Sequence, residues 1–266
     1  MLTCSESYPQ EKKQLGKVSL ILPTYNEEQN IEHTLIEVDT TLKQICPDYE
    51  IVVVDDGSKD RTQQIIQKYI KNNCNVKVVG YNTNMGKGYA LRKGFEFATG
   101  DKIVFFDSDS DIPHAELKLY LDTLEKVDVV IGSKRHPQSK VRASFKRRFL
   151  SASFHILVIM MLTGVKVTDT QAGLKAFRRS ALEKIVRLML VKGYAFDAEL
   201  LAIASLLKMR IAELPISIDL TGKFRIQSIL RMLIDLLGVA FKLKFRKWYQ
   251  KNLNNGKPTY KPVIPI

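Results

Sequence analysis

A chain of 266 residues with 41 Lys and Arg against 28 Asp and Glu carries a formal charge of +13, and 45% of it is hydrophobic. That apolar share excludes a disordered chain, and 14 Gly with 9 Pro exclude a collagen-like or low-complexity one. The basic surplus leaves three kinds of partner: nucleic acid, an anionic membrane surface or a phosphate-bearing substrate.

Residues 1–16 read as a polar tail without the apolar centre of a secretory signal. Short apolar runs at 18–22, 51–54, 76–79, 103–106 and 127–131 predict buried strands. Helical spacing at 31–45, 62–70 and 88–98, and a further helix before the fifth strand, place a helix between each pair of strands. Strand and helix in alternation predict a mainly parallel sheet covered on both faces. A strand at 173–177 leads to helices at 181–190 and 195–207. Residues 211–216 predict an edge strand, because Pro215 lacks a donor. Residues 226–248 mix apolar and basic positions as one amphipathic helix or two. The expected division is a tail (1–16), a catalytic domain (17–222), basic membrane-associating helices (223–251) and a C-terminal tail (252–266).

Cys4, Cys46 and Cys74 are too few and too widely spaced for a disulfide framework, and none forms a Cys-x-x-Cys zinc pair. No run reaches 18 purely apolar residues. The nearest, 149–165, reads either as a core helix or as an interfacial one.

Three of the expected strand ends carry acidic groups: Asn26-Glu27-Glu28 after the first, Asp55-Asp56-Gly57-Ser58 after the second, and Asp107-Ser108-Asp109-Ser110-Asp111 after the fourth. Ligands of open parallel sheets bind beyond these carboxyl ends. Carboxylates converging there repel one another unless a cation neutralises them. Asp107 and Asp109 can both reach one divalent ion, and oxygen ligands favour Mg²⁺ or Mn²⁺. Taken singly, Asp55-Asp56-Gly57-Ser58 is equally a turn with a helix cap. A nicotinamide site is disfavoured, because no glycine-rich loop follows the first strand. Lys87, in Gly86-Lys87-Gly88, stands where it can meet a phosphate.

Leu22-Pro23-Thr24-Tyr25-Asn26-Glu27, Val54-Asp55-Asp56-Gly57-Ser58 and Asp107-Ser108-Asp109 resemble the inverting GT-A glycosyltransferases of family 2. Ile131-Gly132-Ser133, Asp169-Thr170-Gln171-Ala172-Gly173-Leu174-Lys175-Ala176-Phe177 and Ala195-Phe196-Asp197-Ala198-Glu199 narrow the resemblance to polyprenyl-phosphate glycosyltransferases, the dolichyl-phosphate mannose and glucose synthases. The resemblance runs over residues 18–244. It implies a GT-A fold, a nucleotide-sugar donor and a dolichyl or polyprenyl phosphate acceptor. Carried over by motif, Pro23, Tyr25 and Glu27 line the nucleobase pocket, Asp55 and Asp56 meet the base or ribose region, and Asp107 and Asp109 hold metal and diphosphate. Gln171 lies near the donor sugar or acceptor phosphate. Asp111 stands where mannose synthases often carry Gln. Asn84-Met85-Gly86-Lys87-Gly88 is closer to the glucose type, which favours UDP-glucose over GDP-mannose.

A lipid monophosphate is already an anion, so transfer needs a cationic cradle more than a general base. Ser133, Lys134, Arg135, Arg147 and Arg148, with Arg225 of 222–225, are the candidates for it; a solvated face is the plainer reading of each. The basic helices and a Trp248-Tyr249 belt then suit peripheral contact with the cytoplasmic face of a membrane. Asp197 and Glu199 read as caps or structural pairs. Two rivals remain: a family 2 enzyme with a saccharide or protein acceptor, and a non-catalytic basic module binding membrane or nucleic acid. No recognised nucleic-acid motif supports the latter, and nucleic acid is not an expected partner.

Overall fold

The computed structural model describes residues 16–107, 114–143, 167–169, 173–193, 195–220, 226–244 and 247–255. β1 (Val18–Thr24), β2 (Tyr49–Asp55) and β4 (Lys102–Phe105) are apolar runs covered on both faces, as central strands of a parallel sheet are. With β3 (Val76–Gly80), β5 (Val129–Ser133), β7 (Lys175–Arg178) and β8 (Ile211–Pro215) they form one seven-stranded sheet, in the order β3-β2-β1-β4-β7-β5-β8. β1 to β4 are parallel, and β8 runs parallel to β5. β7 alone is antiparallel, with Lys175 opposite Phe105 on one side and Ile131 on the other. β8, with its Pro215, lies at the sheet edge as expected. β6 (Lys140–Ala143) and β9 (Ser217–Leu220) pair separately.

Strand alternation sends successive side chains to opposite faces, and each face is covered by helices. On one, Leu20, Leu22, Ile51 and Val53 pack on α1 (Ile31–Ile45), α2 (Thr62–Ile70) and α4 (His114–Thr123) through Leu35, Ile66 and Tyr120. On the other, Ile21, Val52, Val54 and Phe105 meet α3 (Lys87–Phe97), α5 (Arg179–Val186) and α6 (Phe196–Leu206). α3 lies so close that a Cβ on Gly94 would overlap Ile21.

The segment 226–248, read as one helix or two, forms two, α7 (Ile226–Lys244) and α8 (Trp248–Asn255), with Lys247 between them at φ 45. α8 runs past the expected boundary at 251, and in it the Asn252 side-chain Nδ2 donates to the Trp248 carbonyl (2.8 Å). The interfacial belt is corrected for one of its members: Tyr249 is fully buried and packs in the core with Leu236 and Val239 of α7. The segment 149–165 lies outside the described residues.

Candidate active site

The carboxyl ends of β1, β2 and β4 open on one side of the sheet, and two loops there are stitched together. Asn26, at φ 55, donates its amide to Ser58 Oγ (3.0 Å) and accepts the Lys59 amide (2.8 Å). The Glu27 amide donates to Thr62 Oγ1 (2.8 Å) and the Glu28 amide to Asp60 Oδ2 (3.2 Å). Burial raises the Asp60 carboxyl, but donors from Thr62 and the Glu28 amide outweigh it and leave the group below its ordinary range. Asp56 fixes a third loop, accepting the Met85 amide (2.7 Å) and the Gly86 amide (2.9 Å). Gly86 sits at φ 94, which favours glycine, and a Cβ there would fall 2.7 Å from Lys192 O.

These loops enclose a cavity of about 240 Å³ lined by Pro23, Tyr25, Glu27, Asp56, Lys87 and Asp107, with Thr24, Asn84, Gly86 and Ala90. Lys87, at the first turn of α3, pairs its ammonium with Asp107 Oδ1, and that ammonium stands 5.7 Å from the Phe196 ring centroid. Six residues singled out in the sequence therefore meet in one place. Asp55 is elsewhere. Its Oδ1 accepts the Ser58 amide (2.9 Å), and it lines a neighbouring cavity of about 210 Å³ with Ser58, Lys59, Gln63 and Gln67. Asp109, Gln171, Arg225, Arg147 and Arg148 lie outside the described residues.

Ser133, Lys134 and Arg135 follow β5 and do not line the first cavity. Ser133 is buried with its hydroxyl bonded to Thr168 Oγ1 (2.8 Å). Asp169 accepts the Lys134 amide (3.0 Å) and pairs with its ammonium (3.4 Å), while Arg135 is exposed.

Sequence reasoning left two buried groups on α6 without partners. Asp197 pairs with Lys175 of β7 (2.6 Å), and Glu199 with Tyr249 (2.6 Å). Both are the structural pairs that an apolar helix bearing carboxylates predicts. Their partners stand 22 and 50 residues away in sequence, where no local spacing points.

Among the described residues no three His, Cys, Asp or Glu side chains cluster as a metal cage. Asp107 nonetheless fits a divalent ion. Its carboxylate faces the cavity, and the space it occupies exists because residue 173 is glycine: a Cβ there would overlap Oδ2. A hard oxygen donor of this kind suits Mg²⁺ or Mn²⁺, which keep waters and bridge phosphates.

The sheet order, the covering helices and the cavity at the strand ends define a GT-A-like α/β fold. Solved structures agree on the fold. Glucosyl-3-phosphoglycerate synthase from Mycobacterium tuberculosis, in complex with Mn²⁺, UDP-Glc and phosphoglyceric acid, superposes with a TM-score of 0.63 at 19% identity over 85% of this chain and 79% of that one. Mannosyltransferase PcManGT from Pyrobaculum calidifontis, with GDP-Man and Mn²⁺, gives 0.59 at 20% identity over 90% and 73%. Residues 19–186 match Glycosyl transferase family 2, and the chain belongs to that family. Curated relatives narrow the likeness. Dolichyl-phosphate beta-glucosyltransferase ALG5D of Trichomonas vaginalis is 33% identical over 247 residues, 87% of this chain and 75% of the relative. The Homo sapiens dolichyl-phosphate beta-glucosyltransferase is 34% identical over 218 residues, 76% and 67%. Membership of a transferase family removes the non-catalytic basic module as a rival.

Proposed function

We propose that the chain transfers glucose from UDP-glucose to dolichyl or polyprenyl phosphate, with inversion at the anomeric carbon. The observation that carries this reading is the third of identical residues shared with dolichyl-phosphate beta-glucosyltransferases over most of the chain.

The cavity residues divide the work. Pro23, Tyr25 and Glu27 offer the flat and polar surface that a nucleobase takes, while Asp55 lines a separate cavity and stands outside that surface. Lys87 and Asp107 face one cavity, where the ammonium would meet the oxygens of a diphosphate and the carboxylate, with Asp109, would hold Mg²⁺ or Mn²⁺. A metal bound there supplies charge neutralisation of the leaving nucleoside diphosphate. The acceptor phosphate oxygen attacks the anomeric carbon as the bond to the diphosphate oxygen breaks, and UDP departs with that electron pair. The attacking oxygen carries no proton near neutral pH, so no base is required. Gln171 and Arg225, with Ser133, Lys134, Arg135, Arg147 and Arg148, form the acceptor side of this reading.

The acceptor is lipid, and α7 suits a membrane surface. Leu236, Val239 and Leu243 face the core, while Ile234 and Leu237 are 61% and 54% exposed one turn apart, with Phe241 beyond them. Apolar residues at this spacing enter the acyl boundary, and the exposed Lys247 and Lys251 that follow in sequence meet anionic headgroups. Among the described residues no helix is long and apolar enough to cross a membrane. The contact we propose is peripheral, at the cytoplasmic face.

Titration calorimetry with UDP and GDP in the presence of Mn²⁺ tests the donor. UDP binds more tightly than GDP, and Asp107→Asn removes the metal dependence of that binding. Preference for GDP would replace glucose by the mannose alternative.

A further inference from the structure

Glu199 belongs to no part of the mechanism above, yet it is the most heavily bonded buried carboxylate on the second helical layer. It is fully buried. Its Oε1 accepts the Tyr249 hydroxyl at 2.6 Å, and its two oxygens accept the Leu190 amide (3.0 Å each) and the Val191 amide (2.8 Å). Burial raises this carboxyl above its ordinary range in spite of those donors.

The peptide it holds, 188–193, runs across the start of α3. Lys192 O accepts the Tyr89 amide at 3.1 Å. Cβ atoms on Gly86 and Gly88 would fall 2.7 Å from Lys192 O and 2.9 Å from Val191 O, so both glycines exist to let this strap lie against the helix. Arg92 of α3, itself buried, donates to Met189 O at 3.0 Å. Gly193 at the end of the strap faces Asp235 of α7, whose carboxylate a Cβ would meet at 2.8 Å. A continuous set of contacts therefore runs from Tyr249 on α8, through Glu199 and the strap, to the turn that bears Lys87.

We propose that Glu199 and Tyr249 are positioning residues for the donor cavity: the C-terminal helix pair clamps the strap that seats Lys87 opposite Asp107. The proposal rests on the reading that this cavity takes a nucleoside diphosphate. Packing alone does not explain the arrangement, because a buried carboxylate is costly unless it is hydrogen-bonded, and here its bonds hold two successive amides of one loop, Leu190 and Val191. The clamp also gives the outermost helices, which carry the exposed apolar stripe, a mechanical hold on the donor end of α3.

Tyr249→Phe deletes one hydroxyl and keeps the ring, so it is the first variant to make, with Glu199→Gln as the second. The measurements are UDP affinity with Mn²⁺ by calorimetry, KM for donor and acceptor in the full chain, melting temperature, and amide exchange at Tyr89 and Val191. Tyr249→Phe weakens UDP binding and raises donor KM by about fivefold, the low end of couplings between sites, while acceptor KM holds and Tyr89 exchange accelerates. Glu199→Gln follows the same pattern more strongly. A lower melting temperature with unchanged UDP affinity and unchanged Tyr89 exchange would reduce both residues to stability alone and overturn the proposal. Wild-type chain that binds no UDP would overturn the donor reading itself, and the proposal with it.

Discussion

Lys87 is held by two features at once: Asp107 pairs with its ammonium and the Phe196 ring flanks it. Removing it leaves the Asp107 carboxylate alone at the proposed diphosphate site. Lys87→Met accordingly raises donor KM about tenfold, the loss of one charge-assisted contact of roughly 1.4 kcal/mol, with the melting temperature little changed. Gly86→Ala is expected to act on stability, since the new Cβ meets Lys192 O at 2.7 Å in a backbone of φ 94; about 1–3 kcal/mol is lost in urea denaturation. Glu50 tests the far side of the sheet. Burial raises its carboxyl, but Lys77, Ser19 and both donors of Thr99 overcome this and bring it from 4.5 to about 2. Its folded form is depressed, so its contribution is full above pH 4.5 and is lost as pH falls through about 2. Glu50→Gln therefore costs roughly 3 kcal/mol at pH 7, and the gap to wild type narrows between pH 4.5 and 2 in denaturation at both ends of that range.

At the scale of elements, periodicity alone located α1 and α2 to the residue, because Ile31, Leu35, Val38 and Leu42, and likewise Thr62 and Ile66, are the positions that bury. It gave no direction for β7: a four-residue strand reads the same either way, and the antiparallel pairing is set by neighbours 74 and 48 positions away in sequence, Ile103 and Val129, which both lie opposite Phe177. Asp55 and Asp56, which the sequence motif assigns to one region, separate in the structure. Adjacent residues at a strand end diverge, so one serves each cavity. Tyr249 misled because an aromatic pair beside lysines matches an interfacial belt, whereas its real partner, Glu199, lies 50 residues earlier. The exposed face of α7 carries its own prediction. Ile234→Asp with Leu237→Asp abolishes sedimentation with vesicles containing anionic lipid and leaves UDP affinity unchanged, while Leu236→Ala on the buried face instead costs about 2–5 kcal/mol of stability.

Across the whole molecule, the surplus of +13 acquires a division of labour. Carboxylates gather at the strand ends around the donor cavity, and basic residues follow β5 and run along the C-terminal helices. The donor half was legible because its motifs sit on consecutive strand ends of one sheet, which topology brings together. The helix clamp was not, because it joins elements through contacts between distant segments. The central claim is that this chain glucosylates a lipid phosphate, and it is tested most directly by incubating it with radiolabelled UDP-glucose, dolichyl phosphate and Mn²⁺ and extracting into chloroform. The account predicts label in the organic phase that requires the lipid phosphate and disappears with Asp107→Asn; label that stays wholly in the aqueous phase, with the wild-type chain folded and binding UDP, would contradict it.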